Sequence, residues 1–155
     1  AALLVLANCA ATPPEMPEMP QIEDAPVDQA TRSIANSDLA CLAEAIYFEA
    51  RGTGPVGTEA VAHVVVNRAQ SPKFPNSVCA VVGEGCQFSY RCDGRPDLLT
   101  DATAREKAHR TAQAVLQGAR DITDGALFFH AARMEPGWFS TRPRVGTFGG
   151  NIFYR

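Results

Sequence analysis

Several features that readily assign a chain to a class are missing here. The apolar run Leu3-Leu4-Val5-Leu6-Ala7 falls well short of the ~20 residues a membrane-spanning helix needs. No Cys-x-x-Cys pair occurs, and His63, His109 and His130 are far apart without ligand-like spacing, so no metal centre is expected. There is no basic run and no interleaving of basic with aromatic residues, which argues against a nucleic acid partner. Gly146-Thr147-Phe148-Gly149-Gly150 lacks a strand-turn-helix setting, so no nucleotide, flavin or phosphate site is read and no cofactor is expected. Internal repeats are absent. Position 1 is not Met, which reads as a section of a longer frame or a processed product.

The charge that is present is unevenly placed. Of the formal net charge of −3, residues 1–37 carry five acids and one Arg, leaving twelve acids against thirteen Lys and Arg. Five of the eleven prolines fall between residues 10 and about 35 among Glu, Asp, Gln and Thr, so residues 10–36 are expected to be a disordered tether. Residues 1–9 read as the end of a signal peptide. Leu6-Ala7-Asn8-Cys9 resembles a lipobox in which Cys9 becomes the lipidated first residue, although Asn8 stands where a small residue is usual. Ordinary signal-peptidase cleavage near Ala10-Ala11 is the other reading. Both place the protein in the periplasm or cell envelope, and the first adds a lipid that anchors it to a membrane.

Export suits the cysteines. With Cys9 set aside, Cys41, Cys79, Cys86 and Cys92 form an even set open to three pairings. A Cys86–Cys92 bridge could clip a short loop, and Cys41–Cys79 would then tie the first helix to the segment after the second.

Residues 37–155 are long enough for one compact domain with a real core, expected to act as a monomer. Asn36, Ser37 or Asp38 can cap a first helix that ends at the hinge Gly52-Thr53-Gly54-Pro55. A second helix is expected from Val56 to Ala69, a short one from Asn76 to Val82, and a third long one from Asp101 to Gln117. An irregular cysteine loop runs to about Leu99. Ala126–His130 and Asn151–Tyr154 are aromatic-rich, flanked by Gly, and read as strands of one small antiparallel sheet near the C-terminus. The class is α+β, mainly helical.

Glu49 is the residue this pattern singles out. At roughly 100° per residue, Leu39, Leu42, Ala43, Ile46 and Ala50 form an apolar arc with Glu49 at its edge and Glu44 on the far side. Desolvation raises a carboxyl pKa and keeps the group protonated, the condition for a general acid. Glu44 is expected to remain an ordinary surface anion. The alternative for Glu49 is a plain ion pair with Arg51 or Arg68.

The blocks Cys41-Leu42-Ala43-Glu44-Ala45-Ile46-Tyr47-Phe48-Glu49-Ala50-Arg51-Gly52, Ala60-Val61-Ala62-His63-Val64-Val65-Val66-Asn67-Arg68, Phe74-Pro75-Asn76-Ser77-Val78-Cys79, Cys86-Gln87-Phe88-Ser89-Tyr90 and Pro136-Gly137-Trp138 together resemble the SleB/CwlJ-type cell wall hydrolase family. The likeness runs through residues 39–155 with the blocks in family order. It implies a lysozyme-like domain acting on peptidoglycan glycan strands, with Glu49 as catalytic acid. It further implies a lytic transglycosylase that cleaves the β-1,4 bond between N-acetylmuramic acid and N-acetylglucosamine and leaves a 1,6-anhydro end. One carboxyl group serves that reaction as acid and then as base, whereas a hydrolase normally uses a second carboxylate, and none declares itself here. Two positions depart from the family pattern: Thr53 stands where a second Glu is common, and Asn151 where a His is often found.

Other candidates each carry two readings. Gln87, Ser89 and Tyr90 can bind sugar hydroxyls and N-acetyl groups, or can be loop structure around a core Phe88. Asn67 and Arg68 can support the acid, although Arg68 near a helix C-terminus reads more readily as a structural dipole partner. His130 can approach the site or be a satisfied core histidine, the latter favoured. Trp138 can line a cleft or close the core. The competing functions are an N-acetylmuramoyl-L-alanine amidase and a non-catalytic wall-binding lipoprotein.

Overall fold

A computed structural model describes residues 29–155, and the signal-peptide end, Cys9 and the part of the proposed tether before Gln29 lie outside the described residues. Helix α1 spans Gln29–Glu49, α2 Gly54–Gln70, α3 Val78–Val82 and α4 Ala102–Leu116. Strands β1 (Phe128–Ala131), β2 (Arg144–Phe148) and β3 (Asn151–Tyr154) follow, with 3-10 turns at Ser89–Cys92 and Phe139–Thr141. The domain is mainly helical α+β, as the sequence indicates.

Helix α1 starts well before the expected cap at Asn36–Asp38. No Gly or Pro interrupts Gln29–Asp38, so nothing stops the helix. Ser37 Oγ donates back to Ser33 O within the helix at 2.8 Å, and Asp38 Oδ1 accepts the Cys79 N–H at 3.2 Å. In α2, Pro55 sits in the first turn, where its missing N–H costs nothing. The β-branched run Val64-Val65-Val66 stays helical because Val61, Val64 and Val65 are fully buried, and that burial outweighs their weak helix preference. Ser77 Oγ accepts the Ala80 N–H to start α3, and Asp101 Oδ1 accepts the Ala104 N–H to start α4.

Helices α1, α2 and α4 pack on one another, and α3 closes against α1 and α2. Leu42, Ile46, Val61, Val65 and Ala112 fill the space between them. Tyr47 joins α1 to α4 by a polar contact, its hydroxyl accepting the Asp101 N–H at 3.1 Å. The sheet order is β1-β3-β2, antiparallel throughout, with His130 opposite Ile152 and Thr147 also opposite Ile152 on the other side. Strand β2 has no counterpart among the expected elements. It is a partly exposed edge strand with an irregular register between Arg144 and Gly146, so it carries no clean apolar alternation.

The hairpin between β2 and β3 touches α2 through bare backbone. A Cβ on Gly57 would lie 2.8 Å from Gly149 Cα and 2.6 Å from Thr53 Cβ. Gly149, at φ +56°, would drive a Cβ into Thr53 O and Gly57 Cα. Thr53 is thus packed beneath the hairpin tip, with its Oγ1 donating to Ala50 O at 2.8 Å.

Among the described residues two disulfides are present, Cys41–Cys79 and Cys86–Cys92, with sequence separations of 38 and 6. Chain-entropy arithmetic gives ~4 kcal/mol for the longer loop and ~2 kcal/mol for the shorter. Replacing Cys41 and Cys79 by Ser is therefore expected to lower urea-unfolding stability by about 2 kcal/mol more than replacing Cys86 and Cys92. Gly57→Ala is expected to cost ~1–3 kcal/mol in the same measurement through overpacking against the hairpin.

Candidate functional site

Glu49 is the last residue of α1, and its side chain is half-buried where the helix meets the 86–92 loop. Burial pushes its carboxyl above the usual glutamate range; the Ser89 backbone amide and the charge of Arg68 partly offset the rise. Among the described residues no ion pair involves Glu49.

The arginines that could have paired with it are engaged elsewhere. Arg51 lies with its guanidinium 5.2 Å from the Tyr47 ring centre. Arg68 is buried, at 6 % exposure, and its Nε donates to Leu127 O at 2.7 Å. Its guanidinium sits 5.1 Å from the ring centre of Phe74 and 5.9 Å from those of Phe88 and Phe128. Burial lowers Arg68 to about 10, against the favourable fields of Glu84 and Glu49, so it stays charged. Its environment is more specific than a helix-dipole contact: it is a buried cation acting on Glu49 through space.

Asn67 is engaged with the turn before β1. Its amide donates to Asp121 Oδ2 at 2.9 Å and to Ala126 O at 3.2 Å, fastening the turn that leads into β1. Burial alone would raise Asp121, but bonds from Thr123, Asn67 and the amides of Gly125 and Thr123 outweigh it and hold the carboxyl at about 2. The signal for this arrangement was present in Asp121-x-Thr123, a side-chain turn pattern.

The cysteine loop brings Ser89 beside Glu49 but uses Tyr90 otherwise. Tyr90 is 6 % exposed and stacks on Phe48 at 4.4 Å between ring centres, so its ring is not an open platform for a sugar. Its hydroxyl lies near Glu44 and Arg91, and burial first, then Glu44, push it upward. Glu44 is accordingly not the wet surface anion expected. Its Oε1 lies 2.8 Å from Arg91 Nη2, because the loop folds over that side of α1, which a wheel of the helix alone cannot register. Gln87 is exposed, with its amide 3.4 Å from Glu84 Oε2.

His130 and Trp138 belong to an aromatic cluster on the sheet. His130 Nδ1 faces Ala131 O at 2.9 Å, which can only accept, so Nδ1 carries the proton and Nε2 accepts from the Tyr154 hydroxyl at 3.0 Å. It is a satisfied core histidine. Trp138 keeps 36 % exposure while packing on His130, Phe128 and Tyr154. Phe128 connects the two regions, with the Arg68 guanidinium on one side and Arg142, 3.5 Å from its ring centre, on the other. Hollows of about 710 Å³, beside Arg51 and Lys107, and about 310 Å³, beside His130 and Arg142, open on the surface; neither is lined by Glu49.

The family model described as Cell Wall Hydrolase matches residues 52–154. The chain belongs to the cell wall hydrolase family. The match begins three residues after Glu49, so the acid lies just outside it. The spore cortex-lytic enzyme of Halalkalibacterium halodurans is 34% identical over 136 residues, covering 86% of this chain and 40% of that protein. That of Bacillus subtilis is 35% identical over 134 residues, 84% of this chain and 42% of that protein. The chain thus spans about two fifths of the length of these relatives. Among solved structures, the catalytic domain of the germination-specific lytic transglycosylase SleB from Bacillus anthracis matches with a TM-score of 0.66 at 34% identity, over 76% of this chain and 93% of that one. The Bacillus cereus SleB catalytic domain gives 0.63 at 31%, over 77% and 91%. The lysozyme-like fold of this cell wall hydrolase domain follows from these neighbours.

Proposed function

We propose that this cell wall hydrolase domain is a peptidoglycan-cleaving glycosidase that works as a lytic transglycosylase with Glu49 as its one acid and base. The observation that carries the reading is a carboxyl desolvated at a helix end, raised in pKa and outside any described ion pair. Likeness to the Bacillus anthracis catalytic domain, which belongs to a lytic transglycosylase, supports it.

Protonated Glu49 gives its proton to the bridging oxygen as the bond to the muramyl C1 breaks, releasing the N-acetylglucosamine hydroxyl. The muramyl 6-hydroxyl then attacks C1, and the Glu49 carboxylate takes that hydroxyl's proton. The 1,6-anhydro ring closes, and the acid is restored without water. Arg68 steadies the carboxylate between the two halves through its field, which offsets only part of the rise that burial causes. The Ser89 amide favours the same anion. Gln87 and the open side of Trp138 are the groups proposed to hold sugars, while His130 and Asn67 shape the elements behind them. Export, and attachment through a lipid on Cys9, complete the reading.

Glu49→Gln is expected to abolish release of muropeptides from purified sacculi, and mass spectrometry of wild-type products should show anhydro ends. Reducing ends or free stem peptides would instead indicate a hydrolase or an amidase, and a fully active Gln variant would end the proposal. Because burial raises the folded-state pKa, stability falls as pH rises from the unfolded glutamate value of about 4.5 through the folded one. The Gln variant escapes that loss, so its Tm at pH 7 should equal or slightly exceed that of wild type. The same shift predicts a kcat/KM profile whose alkaline limb lies above the ordinary glutamate range, since activity is lost as Glu49 deprotonates.

A further inference from the structure

The hollow of about 710 Å³ beside the α1–α2 hinge has a chemistry of its own. Arg51, Lys107 and Arg110 stand around it against one acid, Asp101. The Asp101 carboxylate is engaged in capping α4, accepting the Ala104 N–H at 3.0 Å. Arg110 is shared with Glu106 at 3.1 Å, but among the described residues no ion pair involves Arg51 or Lys107. Arg51 is held in place over Tyr47, whose hydroxyl is itself fixed by the Asp101 N–H. The hydroxyls of Thr103 and Thr111 add hydrogen-bonding capacity, and the exposed ring of Pro55 contributes apolar surface.

We infer that this hollow binds the carboxylate-bearing stem peptide attached to the muramyl residue at the scissile bond. The inference rests on the glycosidase reading and deepens it. An N-acetylated glycan whose lactyl group is amide-linked carries no charge, so unpaired cations have nothing to recognise in the sugars. The stem peptide carries free carboxylates, and three to five extended residues span roughly 10–17 Å. Arg51, on the wall of the hollow, is two residues beyond Glu49, which puts their Cα atoms at most about 7.6 Å apart, within the span of such a peptide. The peptide's carboxylates meet Arg51 and Lys107, its backbone meets Thr103 and Thr111, and its alanyl methyls meet Pro55. Glycan strands that keep their peptides are then preferred over strands stripped of them.

The test compares wild type with Arg51→Glu/Lys107→Glu on sacculi that retain stem peptides and on the same strands after amidase stripping. The ratio of kcat/KM on peptide-bearing to peptide-free strands should fall roughly tenfold in the double variant, mainly through KM. An unchanged ratio, whether both substrates lose equally or neither does, overturns the inference. A separate titration with soluble stem pentapeptide, followed by amide NMR shifts, decides the matter even if wild type cleaves neither substrate, the outcome that would sink the glycosidase reading. Shifts centred on Arg51, Lys107 and Thr111 that vanish in the double variant support the hollow as the peptide site. Absence of shifts, or competition by polyglycerol phosphate at lower concentration than the peptide, overturns it.

Discussion

A half-buried carboxyl group beside an arginine that has other partners is the constraint on which the candidate site depends. Were Arg68 free to swing onto Glu49, the direct ion pair would favour the carboxylate and work against the rise that burial causes. The Leu127 carbonyl takes one guanidinium N–H, and the rings of Phe74, Phe88 and Phe128 surround the rest. The cation is thereby close enough to act through its field and not free to close the contact. The three rings come from the α2–α3 connection, the cysteine loop and β1, so the protonation state of Glu49 depends on elements far apart in the chain.

Those elements are in turn fastened by polar contacts in places where apolar packing is thin. Asn67 and Asp121 lock the turn before β1, which sets the depth at which Leu127 and Phe128 arrive. Tyr47 fixes the start of α4, and the glycine contact between α2 and the β2–β3 hairpin sets the angle of the sheet. Thr53 belongs to that last contact. It is a small side chain wedged under a hairpin.

The helices, the hinge, two of the three strands and the edge position of Glu49 were legible because each rests on local periodicity and turn chemistry. The disulfides found are the pair suggested among the three possible. What was not legible came from tertiary neighbours. Glu44 looked wet on a wheel, yet Arg91 arrives from the loop to cover it. Tyr90 looked like a sugar platform, yet Phe48 occupies its face. Strand β2 was hidden by its irregular register and exposure, and the early start of α1 by reading Asp38 as a cap when it serves the Cys79 amide. Arg68 shows the limit best, since a cation at a helix end gives no hint of the aromatic cage that will enclose it.

Both sulfur bridges end on the stretch between α2 and α4, one at Cys79 and the other across Cys86 and Cys92. That stretch supplies Phe88 to the cage and the Ser89 amide to the acid. Reducing both bridges would leave that stretch without its two covalent fastenings, so the surroundings of the Glu49 carboxyl are tied to the oxidised state of four cysteines.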